Sequence, residues 1–259
     1  MRRVQILKID VSSHKAQRTE DCVAEEKPFL VFLNESHCIT IPCSLSDLKD
    51  LAVGHLLSQH IIETTGEIEK LDLKEETCHV KLVDTVDLTR RLELSEMSQR
   101  VVHSACGSPA PHQHSGKTPK VKSDIKIEAQ TIQKCVAQLN SLAETFRKTG
   151  GVHVAAVFAS DGRLVAFAED VGRHNAVDKA IGKAALANAR LAECFLALSG
   201  RMTGDIVRKI ATVDIPVVAS LAAAIDSGIE TAEETGLTLV GFVRDSRMNV
   251  YTFPERIVA

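Results

Sequence analysis

Residues 169–179, EDVGRHNAVDK, set Glu169, Asp170, Arg173, His174, Asn175, Asp178 and Lys179 around one glycine, Gly172. A helix start in water needs a capping Asn and perhaps one acid. This set of acids, bases and an amide exceeds that need, and its surplus suits binding an anion or moving a proton. Three shorter segments carry related chemistry. SGRMTG (199–204) offers backbone N–H groups and Arg201 to an anion. GFVRDSRMNVY (241–251) puts Arg244 and Arg247 in an Asp-Ser turn, where two guanidinium groups can grip a phosphate or serve as ordinary hairpin charges. TGGVH (149–153) brings one histidine after two glycines, which a helix C-cap explains without a functional role.

Cys106 is the sharpest nucleophile candidate. It lies in SACGSP, where Gly107 and Pro109 favour a tight turn, with His103, His112, Lys117 and Lys120 near it in sequence. A nearby cation lowers a thiol pKa from about 8.5 toward 7, which raises the thiolate share at neutral pH to roughly half. Composition alone leaves a reactive thiol and an exposed bystander equally open. His103, Cys106, His112 and His114 are all possible zinc ligands, but their spacing matches no zinc arrangement. The H-x-E with P-C-x-x-C signature of a zinc deaminase is also absent.

These groups need elements to hold them. VHVAAVF and RLVAFA read as strands turned at Asp161-Gly162, and AVDKAIGKAALANA reads as a helix. The 169–179 motif therefore falls where a strand ends and a helix begins, the edge at which open α/β sheets bind ligands. Around it, strands and helices alternate: a helix over 128–148, CFLALS, a helix from about 203, PVVAS, a helix near 229–235, LTLVGFV and NVYTF. Upstream, residues 1–24 are weakly patterned and suggest a short strand or loose arm. PFLVFLN and HCITIP form a hairpin around Asn34-Glu35-Ser36. Ser44 or Ser46 is placed to cap a helix bearing Leu48, Leu51, Ala52 and Leu56, followed by strands EIEKLDL and CHVKLVD. The expected organisation is a small α+β domain over 1–102, a long mobile loop over 103–126 carrying Cys106, and a layered α/β domain over 127–259.

Composition narrows the classes of function. The chain has 259 residues, 44% hydrophobic and 25% charged, enough to bury a full core. Aromatics are 3% and Trp is absent, which argues against a base-stacking surface, and a net charge of -3 argues against broad nucleic-acid binding. Seven cysteines with no CxxC pair suit a reducing compartment. No signal peptide or membrane span is read from the N-terminus, so the expected location is cytoplasmic, with no membrane and no nucleic-acid partner.

EEKPFLVFLN, DLKDLAVGHLL, the ACG loop, TGGVH, EDVGRHNAVDK, LSGR, LTLVGFVR and NVYTFPERI together resemble the formate dehydrogenase accessory sulfurtransferase family, FdhD. The resemblance implies a cytidine deaminase-like α/β domain without zinc, a smaller N-terminal α+β domain and a homodimer. It implies a sulfurtransferase that takes persulfide sulfur from a cysteine desulfurase. That sulfur would go to a molybdenum bis(molybdopterin guanine dinucleotide) cofactor destined for formate dehydrogenase. The family's persulfide cysteine corresponds to Cys106. Its cofactor-binding stretch corresponds to Phe242, Val243, Arg244, Asp245, Ser246 and Arg247. The residues themselves add Arg201 as a further phosphate contact, and His174 and Lys179 as proton or charge partners at the edge of the cofactor pocket. Many members carry a second loop cysteine where this chain has Pro109. The rival expectation is a non-catalytic chaperone that binds the cofactor and docks to formate dehydrogenase.

Overall fold

The computed structural model describes residues 1–94 and 118–259. In place of a loose arm, the chain opens with a hairpin of β1 (Arg2–Asp10) and β2 (Lys15–Val23), paired antiparallel along its full length. The sequence signal was weak because this ribbon has no fully buried face: Val4 and Ile6 are half-buried, whereas Leu7 and Ile9 are exposed. Next, β3 (Lys27–Leu33) and β4 (His37–Cys43) alternate cleanly, with Phe29, Val31, Leu33, Ile39, Ile41 and Cys43 inward. Asn34 and Glu35 take left-handed backbone at their turn, as a tight hairpin connection requires.

Helix α1 (Leu48–Ser58) follows. Neither Ser44 nor Ser46 caps it; Asp47 occupies the N-cap without a side-chain bond. The predicted stripe is also too narrow, because Val53, Gly54, His55, Leu57 and Ser58 are buried as well. The helix is enclosed because a second layer of helices lies against it. Strands β5 (Ile68–Lys74) and β6 (Thr77–Leu82) complete a four-stranded sheet in the order β4-β3-β6-β5, and α2 (Leu88–Leu94) leads away.

Beyond position 117, β7 (Ile127–Glu128) introduces α3 (Ala129–Leu142) and α4 (Glu144–Thr149). The single helix expected over 128–148 is broken at Ala143, whose ψ of 76° leaves the helical region. The restart has a cause outside the segment: the Glu169 carboxylate accepts the N–H groups of Thr145 and Phe146 at 2.9 and 2.8 Å, capping α4 from another strand.

The main sheet is built from β8 (His153–Ala159), β9 (Leu164–Asp170), β10 (Cys194–Leu198), β11 (Val217–Ser220), β12 (Thr238–Arg244) and β13 (Arg247–Val250). Their order is β13-β12-β11-β10-β8-β9. Strands β10, β11 and β12 run parallel, and their crossovers carry α6 (Gly204–Thr212) and α7 (Asp226–Thr235). Helix α5 (Arg173–Leu186) follows β9, and β14 (Ile257–Val258) pairs with β7. One face of the sheet packs on α3. The other packs on α5 and α6, which in turn bury α1 and the small sheet in the same continuous core. The class is mixed α/β, as the alternation of elements predicts.

Candidate functional site

Strands β9, β10, β11 and β12 all run toward one edge, and the predicted anion-binding groups collect there. Three loops at this edge are joined by backbone bonds. Met202 N–H donates to Ala223 O at 3.1 Å, Ile225 N–H to Met202 O at 3.0 Å, and Phe242 N–H to Ala222 O at 3.0 Å. Arg201 is exposed on the first loop and Arg244 and Arg247 are exposed beyond the last, with the half-buried 221–225 segment between. At the neighbouring strand, Ser199 Oγ accepts Val154 N–H at 3.0 Å and lies 3.4 Å from His153 Nδ1. Burial, then the charges of Arg173 and Arg201, hold the His153 pKa below its ordinary value against the pull of Asp170. Three exposed guanidinium groups, Arg201, Arg244 and Arg247, thus stand at this edge, with the exposed carboxylate of Asp245 between the last two.

The turn itself has a physical explanation. The register between β12 and β13 shifts between Gly241 and Arg244, a bulge that places Phe242 in left-handed backbone at φ 51°. Gly241 permits it, since a Cβ there would meet Tyr251 at 3.0 Å and Ala222 O at 3.3 Å. Phe242 is half-buried, and the Arg244 guanidinium lies 5.8 Å from its ring centroid while Arg244 Nε donates to Leu221 O at 3.2 Å. Val243 points into the core. Asp245, also left-handed, accepts Gln133 Nε2 on its carbonyl at 2.7 Å, so the hairpin tip is tied to α3. The result is a fixed platform presenting Arg244, Ser246 and Arg247 outward.

The 169–179 motif is used differently from the sequence expectation. Most of its polar groups face inward and join layers. Asp170 accepts Gly172 N–H at 2.8 Å, Asn175 Nδ2 at 3.0 Å and Ser44 N–H at 3.0 Å, and pairs with Lys179 Nζ at 2.6 Å. Both members of that ion pair are fully buried, and Lys179 also donates to Ser44 O at 2.8 Å. Lys179 is therefore a structural cation and no pocket proton partner. His174 is mostly enclosed, and burial, then Lys209 and Arg173, push its pKa down to about 4, so it is neutral at pH 7.

A second polar cluster was not foreseen. Asp178 receives Lys209 Nζ at 2.7 and 2.9 Å, Ser58 Oγ at 2.7 Å and His55 Nδ1 at 3.1 Å, joining α5, α6 and α1. Burial opposes ionisation of Asp178, but the Lys209 ammonium and the His55 bond outweigh it and hold the carboxyl well below the usual range. Beside it, α1 and α5 touch backbone to backbone at Gly54 and Gly182; a Cβ at Gly54 would lie 1.7 Å from Asp178 O. The only sequence hints were a glycine within each helix and a lysine within α6, and neither names a partner.

Cys106 and the surrounding His103, His112 and His114 lie outside the described residues. The described thiols are poor nucleophiles where they are buried: burial pushes Cys43 up to about 12, and Cys78 and Cys135 to about 11. The chain on either side of 95–117 is anchored at the edge opposite the arginine turn. Arg91 bridges Glu63 at 2.8 Å and Glu67 at 3.4 Å, and Val121 N–H donates to Thr235 O at the end of α7 at 2.8 Å. Among the described residues no three His, Cys, Asp or Glu side chains form a group that could hold a metal ion, and no helix is long and apolar enough to cross a membrane.

Residues 24–258 match the model of the FdhD/NarQ family. The chain is 35% identical over 247 residues to the sulfur carrier protein FdhD of Shouchella clausii, covering 93% of this chain and 91% of that protein. It is 35% identical over 260 residues to the sulfur carrier protein FdhD of Sulfolobus acidocaldarius, covering 98% and 99%. A crystal structure from Desulfotalea psychrophila, of a protein designated a formate dehydrogenase accessory protein, superposes with a TM-score of 0.78 at 25% identity, covering 99% of this chain and 98% of that one.

Proposed function

The chain belongs to the FdhD/NarQ family, and on that premise we propose that it is a sulfur carrier in the maturation of formate dehydrogenase. The observation that carries the reading is the set of exposed guanidinium groups at this edge, Arg244 and Arg247 on the hairpin tip and Arg201 on the first loop. This is chemistry suited to the diphosphates of a guanine dinucleotide. Cys106 is the carrier thiol; the high pKa values of the buried cysteines support that choice by leaving few other sites for a thiolate.

In the first step the Cys106 thiolate attacks the terminal sulfur of a cysteine desulfurase persulfide. A new S–S bond forms, the old one breaks, and the desulfurase cysteine leaves as its thiolate with no net change in oxidation state. In the second, the terminal sulfur passes to molybdenum of the bis(molybdopterin guanine dinucleotide) substrate. Becoming sulfide requires two electrons, which Mo(IV) supplies on becoming Mo(VI), and Cys106 is left as a thiolate. A single cysteine suffices for this route, so Pro109 in place of a second thiol is no obstacle. The protein acts in the cytoplasm as a homodimer, and formate dehydrogenase receives the cofactor.

Pro109 also favours a second reading, a cofactor chaperone that carries no sulfur. Mass spectrometry after incubation with a desulfurase and free cysteine separates the two. The carrier gains sulfur at Cys106, and Cys106→Ala neither gains it nor activates formate dehydrogenase. Full activation by Cys106→Ala refutes the carrier reading.

A further inference from the structure

The TGGVH segment holds a residue that a helix end does not explain. Gly150, left-handed at φ 64°, is the C-cap of α4. His153 lies three residues on, at the first position of β8, half-buried and opposite Asp170 in register. Its ring is held from the inner side. Ser199 Oγ accepts the Val154 N–H at 3.0 Å, which leaves its own proton for His153 Nδ1 at 3.4 Å. The main chain of Gly200 closes over the ring: a Cβ there would lie 3.5 Å from His153 Nδ1, and 3.2 and 3.3 Å from Arg173 Cβ and Cδ. Ser220 fixes that loop in turn, donating to Gly200 O at 2.7 Å and accepting Ala222 N–H at 3.0 Å.

An imidazole that accepts at Nδ1 carries its proton on Nε2 and is a neutral donor. The surroundings keep it neutral. Burial acts first, then the Arg173 charge; Asp170 pulls the other way, and Arg201 adds to the downward shift. The Asp170 carboxylate is itself engaged by Lys179 Nζ, Gly172 N–H, Asn175 Nδ2 and Ser44 N–H.

Strand register relates this ring to the arginine turn. Ala155 pairs with Leu198, and Leu198 with Ser220, so His153, Gly200 and Ala222 lie in one row past the ends of their pairings. Arg244 Nε donates to Leu221 O at 3.2 Å, which brings its guanidinium over the end of β11. That point is two strand spacings, roughly 10 Å, from His153. The substrate proposed above has anionic oxygens beyond one diphosphate: those of its second dinucleotide arm and those on molybdenum.

We infer that His153 is the donor of a second anion subsite at this edge, its Nε2–H taking an anionic oxygen of the same substrate. The inference rests on the reading of this edge as a guanine-dinucleotide site. The oxygen belongs to a phosphate of the second arm or to an oxo group on molybdenum, and one hydrogen bond serves either. A neutral donor beside Arg173 and Arg201 binds it without adding a third repelling cation.

The test starts from protein saturated with GDP, which occupies the arginine turn. Calorimetry then follows pyrophosphate in one arm and molybdate in the other, for the unaltered protein, His153→Asn and His153→Gln. A glutamine amide can stand where the imidazole Nε2 stood; an asparagine amide is too short. At least one anion binds the unaltered protein, binds His153→Asn about tenfold or more weakly, and binds His153→Gln nearly as well as the unaltered protein. GDP affinity is the same in all three. Pyrophosphate alone assigns the oxygen to the second arm, molybdate alone assigns it to the metal, and binding of both keeps the subsite for either. In histidine-labelled protein, the imidazole nitrogen signals lost in both variants show the proton on Nε2 and move with the anion. The subsite is overturned by GDP-saturated protein that binds neither anion, by equal losses in the two variants, or by a proton on Nδ1, and none of these touches the dinucleotide reading. Failure of GDP to bind the unaltered protein removes that reading, and the subsite with it.

Discussion

Gly54→Ala sets two opposed effects against each other at the α1–α5 crossing. Helix propensity alone favours alanine in a helix interior by about 1 kcal/mol. Against it, the new Cβ would lie 1.7 Å from Asp178 O and 2.8 Å from Gly182 N, where ordinary contact begins at 3.4 Å. Those are backbone atoms, so they cannot rotate away, and the helices must separate by roughly 1.5 Å. Overpacking of this kind costs about 1–3 kcal/mol. Separation also stretches the Ser58 Oγ–Asp178 bond of 2.7 Å and the His55 Nδ1–Asp178 contact of 3.1 Å beyond useful length. Each bond to a charged group is worth about 1.5–3 kcal/mol. The net expectation is a loss of about 3 kcal/mol or more. Urea unfolding followed by circular dichroism measures it, with Gly66→Ala as the control because its nearest neighbour, Thr64 Oγ1, is 3.5 Å away. The midpoint for Gly54→Ala should fall by about 1 M or more. A midpoint equal to or above that of the unaltered protein would refute the close-contact argument and leave propensity as the winner.

Lys209→Met should cost about 3–5 kcal/mol in the same assay, because it leaves the buried Asp178 carboxylate without its cation; a loss under 1 kcal/mol would show the pair to be dispensable. Because the folded pKa of His174 is about 4 and lies below its unfolded value, its contribution is whole above about pH 6.5 and is lost as pH falls toward 4. The stability difference between pH 7 and pH 4.5 should therefore shrink in His174→Gln, and an imidazole titrating near 6.5 by NMR would sink this. Asp178 acts in the same sense at lower pH, its contribution being lost below the unfolded carboxyl value of about 3.9. Arg244→Ala and Arg247→Ala should each weaken guanosine diphosphate binding by about tenfold in calorimetry, with melting unchanged since both side chains are exposed. Equal affinity in both variants would separate the turn from phosphate recognition.

Periodicity exposed most of the elements because it reports local burial. The strands flanking Asp161-Gly162 and the small-sheet hairpin are legible in this way, since each has one buried face or two. The helix break at Ala143 is not, because its cause, Glu169, is far away in sequence. The arginine turn could be located from Asp245-Ser246 between two strands, but its left-handed Phe242 depends on Gly241 packing against a different loop. The polar motif was correctly placed at a strand end. Its inward use was hidden, because Ser44, the partner of Asp170 and Lys179, looks in sequence like a helix cap.

Ser44 gives the two sheets an unusual mutual dependence. Its N–H and carbonyl serve Asp170 and Lys179, and its hydroxyl accepts Val171 N–H at 3.2 Å, so the connector leaving the small sheet closes the loop from which α5 starts. Cut away from that connector, the larger half would have to solvate a lysine and an aspartate now shut off from water, while the smaller half would lose the wall its helix leans on. Neither piece is portable. Gene fusions or truncations that separate them should yield insoluble fragments.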